Sequence, residues 1–309
     1  MKKLISVMTA TLVAMVFSGC ENDSSGGLED ISDAVTLAED EVFTLKSAEA
    51  TDCDVNAARF GGHLFKGNMM VGGPHLFFGK NFPDCAEVSI TTEENGDFPK
   101  EIKINYGEGC LGKAGLEKRG IITIIMSDAI INPGAKYTIT FDGMTIGNRE
   151  VEKTAAIINE GQNENGNWVI SSQHTMTSTM ESEGTSMVMV REFTEQKEWI
   201  NGFDTPETED DQFFKTGGGT MTLNNDLKFD RNITSALFID RTCMFPLSGI
   251  IEITREGEMM TIDFGDGDCD NIALVTKDGE DEEIELVSGK FRKGFKRHNR
   301  NMKLKKGWW

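Results

Sequence analysis

The chain has 309 residues, 38% of them hydrophobic, with 33 glycines, and this apolar and small-residue share excludes wholesale disorder. With 51 acidic against 31 basic side chains the net charge is −20, which repels nucleic-acid phosphates, so no nucleic-acid partner is expected. Six prolines, no glycine triplet repeat and no second long apolar run exclude collagen-like, proline-rich and polytopic membrane chains.

Residues 1–19 read as a signal peptide: Lys2 and Lys3 open it, an apolar stretch spans 4–17, and the small pair Ser18 and Gly19 stands directly before Cys20. The apolar part falls short of the roughly 20 residues that span a bilayer, so a transmembrane anchor is the weaker reading. The run Phe17, Ser18, Gly19, Cys20 resembles the lipobox of bacterial lipoproteins, although Phe17 stands where Leu is usual. That resemblance implies cleavage before Cys20, acylation of its thiol and a membrane partner held through the lipid anchor. Each buried CH₂ contributes about 0.8 kcal/mol, so two or three chains hold a protein where one would not. The acidic stretch 21–27 is too polar to pack and forms a tether. It looks like the signal that sends lipoproteins of Bacteroidota-type bacteria to the outer face of the outer membrane; a plain solvated spacer accounts for it equally well.

Within the tether region, 20–50, the residues Leu28, Ile31, Val35, Leu37, Ala38 and Val42 recur at near-helical spacing among acids and suggest an amphipathic helix or stalk. The glycine-rich run 60–82 has no helical period and reads as strand and tight loop. From 84 onward short β-branched runs alternate with turn residues. Val88 and Ile90 lead through a turn at 95–99 to Ile102, Ile104 and Tyr106, and 121–126 and 137–141 flank Asn132, Pro133 and Gly134. Further strands are expected at 144–151, 168–172, 187–193, 220–223 and 227–233. The strands 250–254 and 259–264 are joined by Glu256 and Gly257, which sets Ile253 opposite Met260 and Ile251 opposite Ile262. No helical period after residue 50 is long enough for crossover helices. The fold class is therefore all-β, an antiparallel sandwich or strongly curved sheet of long hairpins, with the β-rich domain over 51–286.

The run from Ile104 to Cys110 recurs at Ile262 to Cys269 with one inserted residue, and Gly120-Ile-Ile-Thr-Ile is echoed by Gly249-Ile-Ile-Glu-Ile. A long hairpin reads as the reused unit. With Cys20 acylated, five cysteines remain in an exported, oxidising setting. Cys85 with Cys110, and Cys243 with Cys269, bracket the two hairpins and are the favoured bridges. Strict alternation puts each pair one residue out of step, which a bulge at the Gly-acid-Gly triplets 107–109 and 265–267 would cure. The competing reading leaves all five reduced or pairs them differently.

The residues 98–110, 119–123, Asn132-Pro133-Gly134 and 138–141, with the closing run 261–271, resemble a group of uncharacterised Bacteroidota lipoproteins. That resemblance implies a secreted β-rich domain and transfers no catalytic residue.

Asp266, Asp268 and Asp270 alternate like a calcium loop, but Asn271 and Lys277 stand where an EF-hand needs Gly and Glu, so an acid-rich turn is the default and no metal is assigned. Four scattered histidines lack zinc spacing, Gly217-Gly218-Gly219 reads as a bend before a strand, and no nucleophile elbow, phosphate loop or dinucleotide fingerprint occurs, so no cofactor and no catalytic residue is assigned. Trp168 and Trp199 are candidates for stacking on a sugar ring if exposed, and core residues otherwise. The tail 287–309 is basic: 290–309 carries nine Lys or Arg and no acid, so the preceding chain holds 22 basic against 51 acidic side chains, net −29. It reads as a terminus folding back on the acidic body, or as a holder of phosphate-rich headgroups, polyanionic glycans or nucleic acid. The function expected is that of a lipid-anchored outer-membrane protein at the cell surface, a non-catalytic binding or structural component with a glycan or envelope protein as partner. A polysaccharide hydrolase is the alternative.

Overall fold

The computed structural model describes residues 28–64, 69–71, 83–92, 97–112, 115–182, 185–205 and 207–286. The signal segment with Cys20, most of the glycine-rich run and the basic tail lie outside them.

One helix, α1 (Ile31–Leu64), opens the described chain. Asp30 caps it, its Oδ1 accepting the backbone N–H groups of Ser32 (2.9 Å) and Asp33 (3.0 Å), which satisfies two of the donors that a helix start leaves free. Its 34 residues extend about 51 Å. The helix expected within 28–45 is present but longer than the sequence suggested: it continues through 51–59, which was placed in the β-rich domain, and through 60–64, which was read as strand and tight loop. Its first half packs into the body rather than standing apart as a tether. Ala34, Ala38, Val42, Leu45, Val55 and Ala58 are buried, and so are Asp40, Glu41 and Asp54. The apolar spacing that marks its first half does not show that charges are buried beside those residues, nor that the helix runs on past 50.

The strands are β1 (Met69–Val71), β2 (Glu87–Thr92), β3 (Lys100–Asn105), β4 (Cys110–Leu111), β5 (Glu117–Met126), β6 (Lys136–Ile146), β7 (Arg149–Gln162), β8 (Trp168–Ser182), β9 (Thr185–Asn201), β10 (Gln212–Leu223), β11 (Leu227–Asp240), β12 (Ser248–Arg255), β13 (Glu258–Asp266), β14 (Ile272–Lys277) and β15 (Glu280–Glu285). They make one antiparallel sheet whose order follows the chain, with β4 pairing β5 off the main path. The fold is all-β apart from α1, and it is a single curved sheet rather than a sandwich. Near the two ends of the strand order, β3 on one side and β14 and β15 on the other come up to α1. The sheet thus curls around the helix, which fills the concave face that a second sheet would fill in a sandwich.

Register follows from alternation. Ile251 and Ile253 are fully buried and pair with Ile262 and Met260, as the two-residue turn at Glu256 and Gly257 dictates. The segment 144–151 is not one strand: β6 ends at Ile146, Gly147 turns the chain, and Ile146 pairs with Arg149. Gly217 to Gly219 do not precede a strand but lie inside β10. A Cβ on Gly219 would sit 2.0 Å from the Glu192 carbonyl oxygen and one on Gly217 2.2 Å from that of Thr194, so only glycine lets β9 and β10 approach this closely.

Cys85 is bonded to Cys110 and Cys243 to Cys269, with Cα separations of 5.5 and 5.9 Å. Each bridge ties the segment before a hairpin, β2–β3 or β12–β13, to the segment after it. Ser248 pairs with Asp266 but Ile250 with Asp263, so one extra residue is accommodated beside Gly265. In the first hairpin Asn105 pairs with Ile121 and Cys110 with Lys118, so two extra residues bulge at the 107–109 triplet. The Gly-Ile-Ile echo has a different basis. Gly120 and Gly249 both meet the backbone of the preceding or following strand at a bulge, where a Cβ would lie 2.4 Å from the carbonyl oxygens of Gly143 and Ala236. Their strands β5 and β12 stand on opposite chain sides of the repeated motif, so this echo is a shared local solution and not part of a tandem copy.

Candidate functional site

The middle strands face α1 across a layer of charge. In β9 the inward positions are Met189, Arg191, Phe193, Glu195, Lys197 and Trp199, ions in strict phase with apolar residues. Neighbouring strands add Arg149 and Lys153 (β7), His174 (β8), Lys215 (β10) and Arg231 (β11), and α1 answers with Asp40, Glu41, Glu49, Asp52 and Asp54.

The pairing is dense. Asp40 accepts from both Arg149 and Arg191, Glu41 pairs with Arg231 at 3.0 Å, and Asp52 pairs with Lys197 at 2.5 Å. Glu195 meets Lys215 at 3.0 Å and Arg231 at 3.4 Å. Arg191 and Arg231 are 1% and 0% exposed, so these ions are shielded from bulk solvent. Burial by itself would raise the Asp40 carboxyl, yet Arg191 and Arg149 hold it below the usual range. Burial likewise opposes ionisation of Glu195, but Lys215, Arg231 and His174 bring it down to about 2. The His174 imidazole is pushed down to about 4, first by burial and then by Lys153, so it is neutral at pH 7.

Between α1 and strands β6 to β11 lies a cavity of about 90 Å³. Six cations line it (Arg59, Lys153, Arg191, Lys197, Lys215 and Arg231) with three carboxylates (Glu41, Asp52 and Glu195), and Asp40 and Glu49 just behind the wall pair with Arg191 and Lys197. Apolar walls come from Ile139, Ala155, Ile157, Ile170 and Phe203. Lys153 has no ion-pair partner among the described residues; its ammonium stands 5.8 Å from the centre of the Phe141 ring. Burial and the neighbouring Lys197 and Lys215 push its ammonium pKa down, while Asp52 and Glu195 oppose the shift. The buried indole N–H of Trp199 also lacks an acceptor. A smaller void of about 10 Å³, room for barely one water, lies beside Trp199, Gly202 and Asp211. Burial pushes the Asp211 carboxyl up to about 7 although Arg241 stands 3.1 Å away.

The structure brings Trp168 and Trp199 together as direct cross-strand neighbours. Trp168 is half-buried and stacks on Phe203 at 4.8 Å; Trp199 is buried, with Phe203 at 5.7 Å and Phe213 at 4.7 Å, and lines the cavity. Asp266 at the end of β13 and Asp268 and Asp270 on the turn after it are exposed, apart from this site. Among the described residues no group of His, Cys, Asp and Glu has the arrangement of a metal site. The sequence reading missed Lys153, Arg191, Glu195, Lys215 and Arg231. The available signal was parity, since each ion shares its strand phase with buried apolar residues.

Compared with models of protein families, with curated proteins and with solved structures, the chain has no match in any of the three.

Proposed function

We propose that the chain is an exported, lipid-anchored protein of the bacterial outer membrane, exposed at the cell surface and acting as a non-catalytic binding or structural component. The observation that carries this reading is Cys20 itself, preceded by Ser18, Gly19 and a short apolar stretch behind Lys2 and Lys3. Two disulfides agree with it, because such bonds persist in oxidising compartments. The outward positions of β7 and β9 carry exposed Glu150, Glu152, Glu160 and Glu192, a solvated face open to a glycan or an envelope protein.

A polysaccharide hydrolase needs one carboxyl poised as an acid and another free to act as nucleophile or base. The cavity carboxylates Glu41, Asp52 and Glu195 are all committed to Arg or Lys. Asp211 has a suitably raised pKa, but the 10 Å³ beside it admits no sugar ring. These facts favour the non-catalytic role.

The test is metabolic labelling with palmitate in a bacterial host, with protease treatment of intact cells. The wild-type chain is expected to take up label and partition into detergent, and Cys20→Ser to lose both. Equal labelling of the two chains would overturn the anchor, and full protease resistance on intact cells would overturn surface exposure.

A further inference from the structure

We infer that the outer face of β14 and β15 is the seat of this chain's own basic segment 290–297, which covers the open edge of the sheet in the same molecule. This goes beyond the anchored-protein reading and does not depend on it.

β15 is the last strand of the order, so one of its sides has no partner strand among the described residues. An open edge offers N–H and C=O groups that can pair with another chain, and proteins cover or charge such edges. Strand parity decides what stands beside this one. Ala273, Val275 and Ile284 turn inward and are buried, whereas Ile272 and Leu274 turn outward and are 36% and 40% exposed. Their cross-strand partners on β15 are Glu285 and Glu283, both exposed. Two aliphatic side chains thus stand in a field of carboxylates.

Charge and composition name the occupant. Residues 266–285 hold nine acidic side chains, all exposed, and one lysine. That lysine, Lys277, is already taken by Glu258 and Asp278. Segment 290–297 carries five Lys or Arg and no acid, with Phe291 and Phe295 set among them. Cations for Asp281, Glu283 and Glu285 and rings for Ile272 and Leu274 therefore occur in one stretch. Only 287–289 separate it from Leu286; three residues reach about 10 Å, and adjacent strands lie about 4.8 Å apart, so the segment starts within reach of both strands. Such a short connection holds it at an effective concentration in the mM range, so exposed contacts that are individually weak suffice together. A second copy offers the same segment only at the concentration of the protein. A phosphate surface would answer the cations and leave the carboxylates and Ile272 and Leu274 uncovered.

The experiment uses the full chain purified in an uncharged detergent and follows limited trypsin cleavage by mass spectrometry. The five sites in 290–297 are compared with Arg300, Lys303, Lys305 and Lys306, which control for the activity of the enzyme. Cleavage follows the fraction of time the segment is undocked, so at low salt the 290–297 sites are expected to be cut about tenfold more slowly than the controls. At about 1 M salt, where the screening length falls to ~3 Å, the difference is expected to vanish. The triple variant Asp281→Asn, Glu283→Gln, Glu285→Gln is expected to lose the protection at low salt, and Ile272→Thr with Leu274→Thr to weaken it. Equal cutting of both groups of sites in the wild type at low salt, or protection unchanged in the triple variant, would overturn the inference. Protection that grows with protein concentration would overturn it in favour of a second copy. Protection that appears only on adding vesicles of anionic lipid would overturn it in favour of a phosphate surface. The salt comparison uses the wild-type chain alone, so it decides the question even if a variant does not fold. Cys20 takes no part in it, so failure of the anchor leaves this result separate.

Discussion

Lys118 of β5 and Asp54 of α1 meet at 2.7 Å with their side chains 1% and 5% exposed, and the Tyr106 hydroxyl donates to the same carboxylate oxygen at 2.7 Å. A single carboxylate thus satisfies two buried donors from two segments of the sheet and pins the helix to it. Removing it by Asp54→Ala strands an ammonium in the interior and is expected to cost about 3–5 kcal/mol in urea unfolding. The double replacement Asp54→Leu with Lys118→Met is expected to cost clearly less than Asp54→Ala alone, because no orphan charge remains. A double variant as unstable as the single one would show that packing, not charge, holds this contact.

The charged layer gives stability a pH dependence with two separate windows. His174 is held neutral in the fold, with a pKa of about 4 against 6.5 when unfolded. As pH falls from about 6.5 to 4 the unfolded chain takes up a proton on His174 that the folded chain refuses, a contribution that lowers stability by up to about 3 kcal/mol. Asp211, raised to about 7 in the fold, contributes with the opposite sign in the same window, so the His174 share is read as the difference between the wild type and His174→Gln. His174→Gln is expected to become more stable relative to the wild type as pH falls through this window, by up to about 3 kcal/mol. Glu195 has a folded pKa of about 2 against 4.5, so its contribution is complete above pH 4.5 and is lost as pH falls toward 2, again about 3 kcal/mol. In Glu195→Gln this second loss is expected to be absent. Urea midpoints across pH 2–8 for the wild type and the two variants check both windows.

Glycine at position 219 is required by contact with the backbone of β9. Gly219→Ala would drive a Cβ to within 2.0 Å of the Glu192 carbonyl oxygen and 2.7 Å of Phe193 Cδ1, so the two central strands must separate. A loss of about 3 kcal/mol or more is expected. Gly257, with φ +93° and open space within 4 Å of where a Cβ would stand, is the control: Gly257→Asn is expected to cost only about 1 kcal/mol. Thermal unfolding of the pair separates steric from conformational demand.

Each disulfide closes a loop of 25 or 26 residues around a hairpin. By loop-closure entropy each contributes about 3 kcal/mol, so Cys110→Ser is expected to lower the unfolding free energy by that amount, and reduction of the wild type by more. Equal stability of oxidised and reduced protein would remove the bridges from the account of stability.

The hairpins were legible because their determinants are local. Glu256 and Gly257 place Ile253 opposite Met260 within a few residues of chain, and Asn132, Pro133 and Gly134 do the same between β5 and β6. The cavity was not legible for the opposite reason. Asp40 and Arg191 are separated by 151 residues, and Lys153 is distinguished only by the partner it lacks, which no pattern of neighbours along the chain reveals.

Period-two alternation and turn chemistry therefore determined the central hairpins and the all-β class, since both act between residues close along the chain, while the strands β14 and β15 and the full lengths of β9 and β10 were not marked by them. What occupies the concave face was decided only in three dimensions. An acidic helix that looks solvated in the sequence becomes the core once β7 to β11 supply the cations that neutralise it. Desolvated ions are tolerated only where their partners converge, and that convergence exists only after the sheet has curled around α1.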